Sequence, residues 1–344
     1  MRPNFFYHIH PPTVPARQAR WSYTLGAGGI AVFLVLVLIA TGLLEMFYYT
    51  PSPSDAALSI QTISYAVPFG GLIRNLHYWA AQFLVLTAFV HLFRVVLTGA
   101  YAPPRRFNYL LGMALFILVI LLDFTGYILR WDQGIQWALI VGTNLVKTIP
   151  GIGGTFYRIL MGGDYPGSAT LTRFYAWHVY GLMLPSFVLI VWHIFRVRRD
   201  GGIAIPPPNF RTEVKRIARE DLVRQEVIVM LICVAVLFLV SIFIPAPIAP
   251  MITKIQAAPS DASAPWFFLW IQQMLKWGDP FLWGVLIPLL ILGVIAMIPY
   301  VLPKPNPRQL GRWFPSSNRL AQIVLAVIAV AILLLTLWKI RPGA

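Results

Sequence analysis

An all-α integral membrane protein, a four-helix transmembrane bundle followed by three further transmembrane helices, is predicted by three observations. Hydrophobic residues fill 58% of the 344 positions. Charged residues fill only 11%, against about a quarter in soluble domains. The apolar residues gather in runs of about 20, the length a helix needs to cross roughly 30 Å of hydrocarbon.

The elements follow in order. The first twenty residues carry Pro and Arg but no apolar core before a small-residue cleavage site, so the first span is expected to do the targeting. That span runs from Gly28 to Tyr48, the second from Leu76 to Leu97, and the third from Tyr109 to Leu129. An outer loop of roughly forty residues, Arg130 to Arg173, precedes the fourth span, Phe174 to Val197; a loop this long usually has a task. Pro206, Pro207 and Pro208 mark a polar connection. Three spans close the chain: Val227 to Ile244, Phe281 to Leu302 and Leu320 to Trp338. Trp266, Phe267, Phe268 and Trp270 lie in the loop before the sixth, as an interfacial belt or a pocket wall. The organisation expected is a four-helix unit over 1–205, a linker over 206–225 and a three-helix unit over 226–344.

The net charge of +15 does not indicate nucleic acid, because the Lys and Arg sit between the spans rather than in a basic groove. Arg17 and Arg20, Arg105 and Arg106, Arg198 to Arg224, and Lys304 to Arg312 all fall on one side if the helices alternate. The positive-inside rule makes that side cytoplasmic, with the N-terminus inside a bacterial plasma membrane. The one cysteine, Cys233, lies within an apolar span and reads as a packing residue.

Of six histidines, four lie in two spans: His77 and His91 in the second, His178 and His193 in the fourth. Separations of 14 and 15 residues correspond to about 21 and 22 Å of rise, and return within about 40° and 60° of the starting direction. Each helix therefore offers two imidazoles on one face, and the two helices run parallel. His77 is expected to pair with His178 at the outer level, and His91 with His193 at the inner one, each pair holding a six-coordinate b-type haem suited to electron transfer. Zinc is excluded because no Cys or carboxylate supplements two histidines at those depths. Arg74 and Arg173 beside the outer pair, and Arg94 and Arg196 beside the inner one, are expected to meet haem propionates, interfacial snorkelling being the alternative. Gly28 and Gly42 in the first span, and Gly112 and Gly126 in the third, repeat the 14-residue step and are expected to admit a flat macrocycle, or else simple close helix packing. His8 and His10 are expected at the surface or against an inner-side cofactor.

At these residues the chain resembles cytochrome b of the cytochrome bc and bf complexes. The resemblance rests on Leu72-Ile-Arg-Asn-Leu-His77, His91-Leu-Phe-Arg94, Gly126-Tyr-Ile-Leu-Arg-Trp-Asp-Gln133, Pro150-Gly-Ile-Gly153 and Leu171-Thr-Arg-Phe-Tyr-Ala-Trp-His178. The 15-residue step to His193 and Asp132-Gln133 resemble the chloroplast and cyanobacterial branch. The resemblance implies a haem-binding bundle fused to three helices like subunit IV of the bf branch, acting as the electron-transfer subunit of a quinol:electron-acceptor oxidoreductase complex. It implies quinone as substrate, with a Rieske iron-sulfur protein and a c-type cytochrome as partners, in a multi-subunit assembly that could also dimerise. Membrane lipid is the surrounding solvent.

The departures are informative. Where the family carries Pro-Glu-Trp-Tyr in its outer quinol pocket, this chain has Ala264-Pro265-Trp266-Phe267, without acid or phenol; its Leu-Pro-Trp becomes Leu129-Arg130-Trp131. An outer quinol site would need another base, for which Asp123 and Asp261 are the candidates, Asp123 as a structural carboxyl being the alternative. The cysteine that attaches an extra inner haem in the bf branch aligns with Thr24, so that haem is not expected. A second reading is a transmembrane electron conduit of another respiratory complex, with one quinone site on the cytoplasmic side. A third is a transporter or scaffold with structural histidines.

Overall fold

The computed structural model describes residues 12–205, 215–252 and 263–341. Seven helices among them are long and apolar enough to cross a membrane. Among the described residues, with the shorter helices between them, they are α1 (Ala27–Met46), α2 (Ala56–Tyr65), α3 (Gly70–Leu97), α4 (Arg106–Ile128), α5 (Gln133–Lys147), α6 (Gly153–Met161), α7 (Ser168–Arg199), α8 (Arg219–Phe243), α9 (Leu269–Met274), α10 (Leu282–Val301) and α11 (Arg319–Ile340). Two three-residue strands, β1 (Thr13–Pro15) and β2 (Arg216–Ala218), pair antiparallel. Outer and inner below name the ends bearing His77 and His91.

The spanning helices keep their sequence-predicted places and extend past them. α3 begins six residues before Leu76 because the turn from α2 is closed by Gly70: a Cβ there would lie 2.1 Å from the Ile63 carbonyl oxygen, so only glycine lets the helices meet. The outer loop of residues 130–173 is a folded cap rather than irregular chain. In it α5 and α6 pack on each other around Trp131, Ile135, Leu139, Tyr157 and Met161.

α1, α3, α4 and α7 form the bundle, with α1 against α3, α3 against α4 and α4 against α7. α8 lies across α3 and α1, sharing a core of Leu34, Leu76, Ala80, Leu84 and Leu237 beside Cys233. At the inner end α10 and α11 close on α3 and α4 through Val96, Tyr109, Met113, Ile295, Ile298 and Leu325. α7 is the exception in packing. Over its last 17 residues, Met183–Arg199, it buries only Ser186. In a bilayer, helices associate by packing and hydrogen bonds rather than by escape from water, so a span that buries so few of its side chains leaves room for something else beside it.

α7 is also not α-helical throughout. Trp177–Leu182, which contains His178, is a π-helical turn, and Leu282–Leu286 at the start of α10 is another. Each precedes a proline, Pro185 and Pro288, that lacks an N–H and crowds the carbonyl four residues earlier; that residue is Gly181 in one case and Gly284 in the other. A π turn loops out one extra residue and relieves the clash.

Candidate functional site

The four spanning histidines meet in two pairs across the gap between α3 and α7. The rings of His77 and His178 are 6.3 Å apart between centroids, inclined at 67°; those of His91 and His193 are 6.4 Å apart, inclined at 76°. With a metal–nitrogen bond of about 2 Å, each ring centroid lies roughly 3 Å from a metal between them, so about 6 Å is the separation that a shared iron requires. The π turn explains how a 15-residue step on α7 matches a 14-residue step on α3. One residue is looped out beside His178, and the remaining rise and rotation equal those between His77 and His91.

The glycines lie directly against the imidazoles. A Cβ on Gly42 would meet Cε1 of His77 at 3.1 Å, on Gly28 that of His91 at 3.4 Å, on Gly112 that of His193 at 3.3 Å and on Gly126 that of His178 at 2.7 Å. Each glycine is thus the floor under one imidazole. Helix α1 supports the two rings of α3, and α4 supports the two rings of α7.

The outer rings are further held by threonines. Thr41 donates its hydroxyl hydrogen to the Val37 carbonyl at 2.8 Å, so its oxygen accepts from Nδ1 of His77 at 2.9 Å. Thr125 donates to Leu121 at 2.9 Å and lies 3.1 Å from Nδ1 of His178, which is also 3.1 Å from the Leu122 carbonyl. A carbonyl only accepts, so Nδ1 carries the proton and Nε2 keeps its lone pair for a metal. At the inner level Ala27 and Leu111 stand where the outer level has threonine, and Nδ1 of His91 and of His193 has no hydrogen-bond partner among the described residues. Sequence reasoning missed these threonines; the signal was Thr-Gly at 41–42 and 125–126 against Ala-Gly and Leu-Gly at the inner level.

One cavity of about 730 Å³ touches all four histidines and all four glycines. Buried polar atoms without partners gather along it: Nη2 of Arg94, Oδ1 of Asn108 and Oε1 of Glu45. Such atoms are costly unless a ligand satisfies them. The residues therefore fit two bis-imidazole haems, with Arg94 offering an unpaired donor to an anionic group.

Of the four arginines expected at propionates, two line the cavity and two do not. Arg74 lines it, while donating to the carbonyls of Ala246 at 3.2 Å and Pro247 at 2.6 Å. Arg94 lines it above the Tyr23 ring. Arg173 packs against Gly162 in the outer cap, and Arg196 pairs with Asp200 at 3.1 Å over the Phe107 ring. The basic residues that do line the cavity at each end beside Arg74 and Arg94 are Arg130, Arg105 and Arg198. Arg130 also pairs with Asp132 at 2.6 Å. Asp132 in turn accepts from the Ala249 backbone at 3.0 Å, and Gln133 donates its backbone N–H to Pro250 at 2.9 Å, so Asp132-Gln133 clips the segment after α8 onto the cap.

Asp123 lines the cavity on α4 and accepts from Gln82 at 2.9 Å. Asp261, His8 and His10 lie outside the described residues.

The model of the Cytochrome b/b6/petB family matches residues 14–201. The chain is 40% identical over 174 residues to the cytochrome b6 of Chlamydomonas reinhardtii and 41% identical over 174 residues to that of Cyanidium caldarium, covering in each case 51% of this chain and 81% of the relative. The fold is similar to a chain of a hyperthermophilic respiratory Complex III, with a TM-score of 0.81 at 21% identity over 94% of this chain and 85% of that one.

Proposed function

Because the chain belongs to the cytochrome b/b6/petB family, we propose that it is the membrane cytochrome b subunit of a quinol-oxidising complex and carries electrons between two b-type haems across the bilayer. The observation that carries the two-haem reading is the pair of imidazole separations, 6.3 and 6.4 Å, at two levels of one cavity. When bound, each haem supplies one-electron redox chemistry at an iron saturated by two histidines. The chain supplies the rest. Gly28, Gly42, Gly112 and Gly126 let the rings lie close to α1 and α4, and Thr41 and Thr125 fix the outer pair in the tautomer that ligates. Arg74 and Arg94, with Arg130 and Arg105, offer positive charge at the two ends of the cavity.

The family match favours this reading over a conduit for an unrelated complex. A Rieske iron-sulfur protein and a c-type cytochrome are the partners proposed, and the plasma membrane of a bacterium, N-terminus inside, is the proposed location, on the strength of the basic inner loops. Purification from membranes tests the haem count: the reduced-minus-oxidised spectrum and extracted haem should give two b-type haems per chain, with His77→Ala and His193→Ala each removing one. A chain without a b-type band would refute it.

A further inference from the structure

The resemblance puts an acid between Pro and Trp in the outer quinol pocket, and this chain has Ala264-Pro265-Trp266 there instead. Pro265 and Trp266 nevertheless wall the same cavity as the histidines, and they do so beside a carboxylate from elsewhere in the chain. Trp266 Nε1 donates to Oε1 of Gln82 at 2.8 Å, and Nε2 of Gln82 donates to Oδ1 of Asp123 at 2.9 Å. The indole has only a donor, so Gln82 has one orientation in this chain of bonds, and Asp123 is held through one oxygen while the other is left for the cavity it lines. Asp123 enters none of the ion pairs among the described residues. The titratable group on α3 that interacts electrostatically with it is Tyr78, which also interacts with Arg130 and Arg74. A carboxyl three residues deeper than Gly126, within a spanning helix and without a cation, is expensive to keep and marks a functional position.

Resting on the quinol-oxidising reading above, we propose that Asp123 is the proton acceptor of the outer quinol site, positioned by Gln82 and Trp266 in place of the missing motif acid. The quinol binds between α3, α4 and the Pro265–Trp266 wall with a hydroxyl against the free oxygen of Asp123. The hydroxyl O–H bond breaks, the proton passes to that oxygen, and the bonding pair stays on the quinol as an anion. No electron moves in this step. Gln82 and Trp266 are positioning residues.

The test uses the complex as purified from membranes, a short-chain benzoquinol as donor and a soluble one-electron acceptor, followed from about pH 5 to 9. Haem content is read separately from the dithionite-reduced spectrum. Asp123→Asn with both haems present should lower kcat for quinol oxidation at least tenfold and flatten its pH dependence, and Asp123→Glu should recover most of the rate. Gln82→Leu should give an intermediate loss with a shifted pH profile. Asp123→Asn oxidising quinol at the native rate with the native pH profile would overturn the proposal. If that variant loses haem, infrared difference spectra of the native and Asp123→Glu complexes decide: a carboxyl band that appears on quinol binding and moves in the variant supports the assignment, and its absence overturns it. A native complex with no b-type haem, or none of whose haem is reduced by quinol, would instead sink the reading on which the proposal rests.

Discussion

At the scale of single residues the site is graded, and the grading is measurable. A Cβ at Gly126 would come to 2.7 Å of His178, closer than real contacts, whereas at Gly28 it would sit at an ordinary 3.4 Å from His91. Gly126→Ala should therefore displace His178 and remove the outer haem from the reduced spectrum, while Gly28→Ala should keep both. The threonines act on electronics as well as geometry. A hydrogen bond from Nδ1–H makes the opposite nitrogen a stronger donor to iron and stabilises the oxidised metal. Thr41→Val keeps the shape but removes the threonine acceptor, so the outer haem should be held about tenfold less tightly and titrate at a higher potential, with the inner haem unmoved, whereas Thr125→Val should act more weakly because His178 keeps the Leu122 carbonyl. Redox titration of the two b-type components checks this, and a shift confined to the inner component would contradict it.

At the scale of elements, the π turn in α7 equalises two unequal histidine spacings. Deleting Tyr180, which is exposed, together with Pro185→Ala removes both the looped residue and the reason for it, and both haems should remain. Deleting the exposed Leu86 from α3, which has no such turn, rotates His91 by about 100° relative to His77 and should cost one haem. Counting b-type haems in the two deletions is the check. The spans, the histidine pairing and the glycine step were legible in the sequence because each is a periodic pattern of chemically distinct residues. The π turn was not, although Gly181 followed by Pro185 carried its cause; a spacing of 15 reads as a 60° misfit unless the backbone is allowed a second helical geometry. The arginines were half legible. Arg74 and Arg94 lie on the cavity side of α3, but sequence distance from a histidine says nothing about Asp200, which takes Arg196, or about the bend at Gly162, which takes Arg173. Nor could sequence distance bring Trp266 to Gln82, since that contact depends on how the chain returns after α8.

At the scale of the whole molecule, the three later helices are tied to the bundle at both ends. Arg74 and Asp132 hold residues 246–249 at the outer end, and at the inner end Tyr101 donates to Asn318 at 2.6 Å while Asn318 donates to the Val96 carbonyl at 2.7 Å. Residues 1–205 and 215–344 produced as two chains in one cell should accordingly co-purify with two haems; Asp132→Ala, which strands the largely buried Arg130, should weaken that association by about 3 kcal/mol. Failure of the intact halves to co-purify would show that the peptide link, not these bonds, joins them. The thin packing of α7 carries a last implication, about how the molecule is made. If the proposed haems lie between α3 and α7, a span that buries so few of its own side chains completes its packing against them, so α7 is expected to settle last and to depend on cofactor delivery. A cell short of haem would accumulate a chain with its fourth crossing loosely tethered, and quality-control proteases would meet it there first.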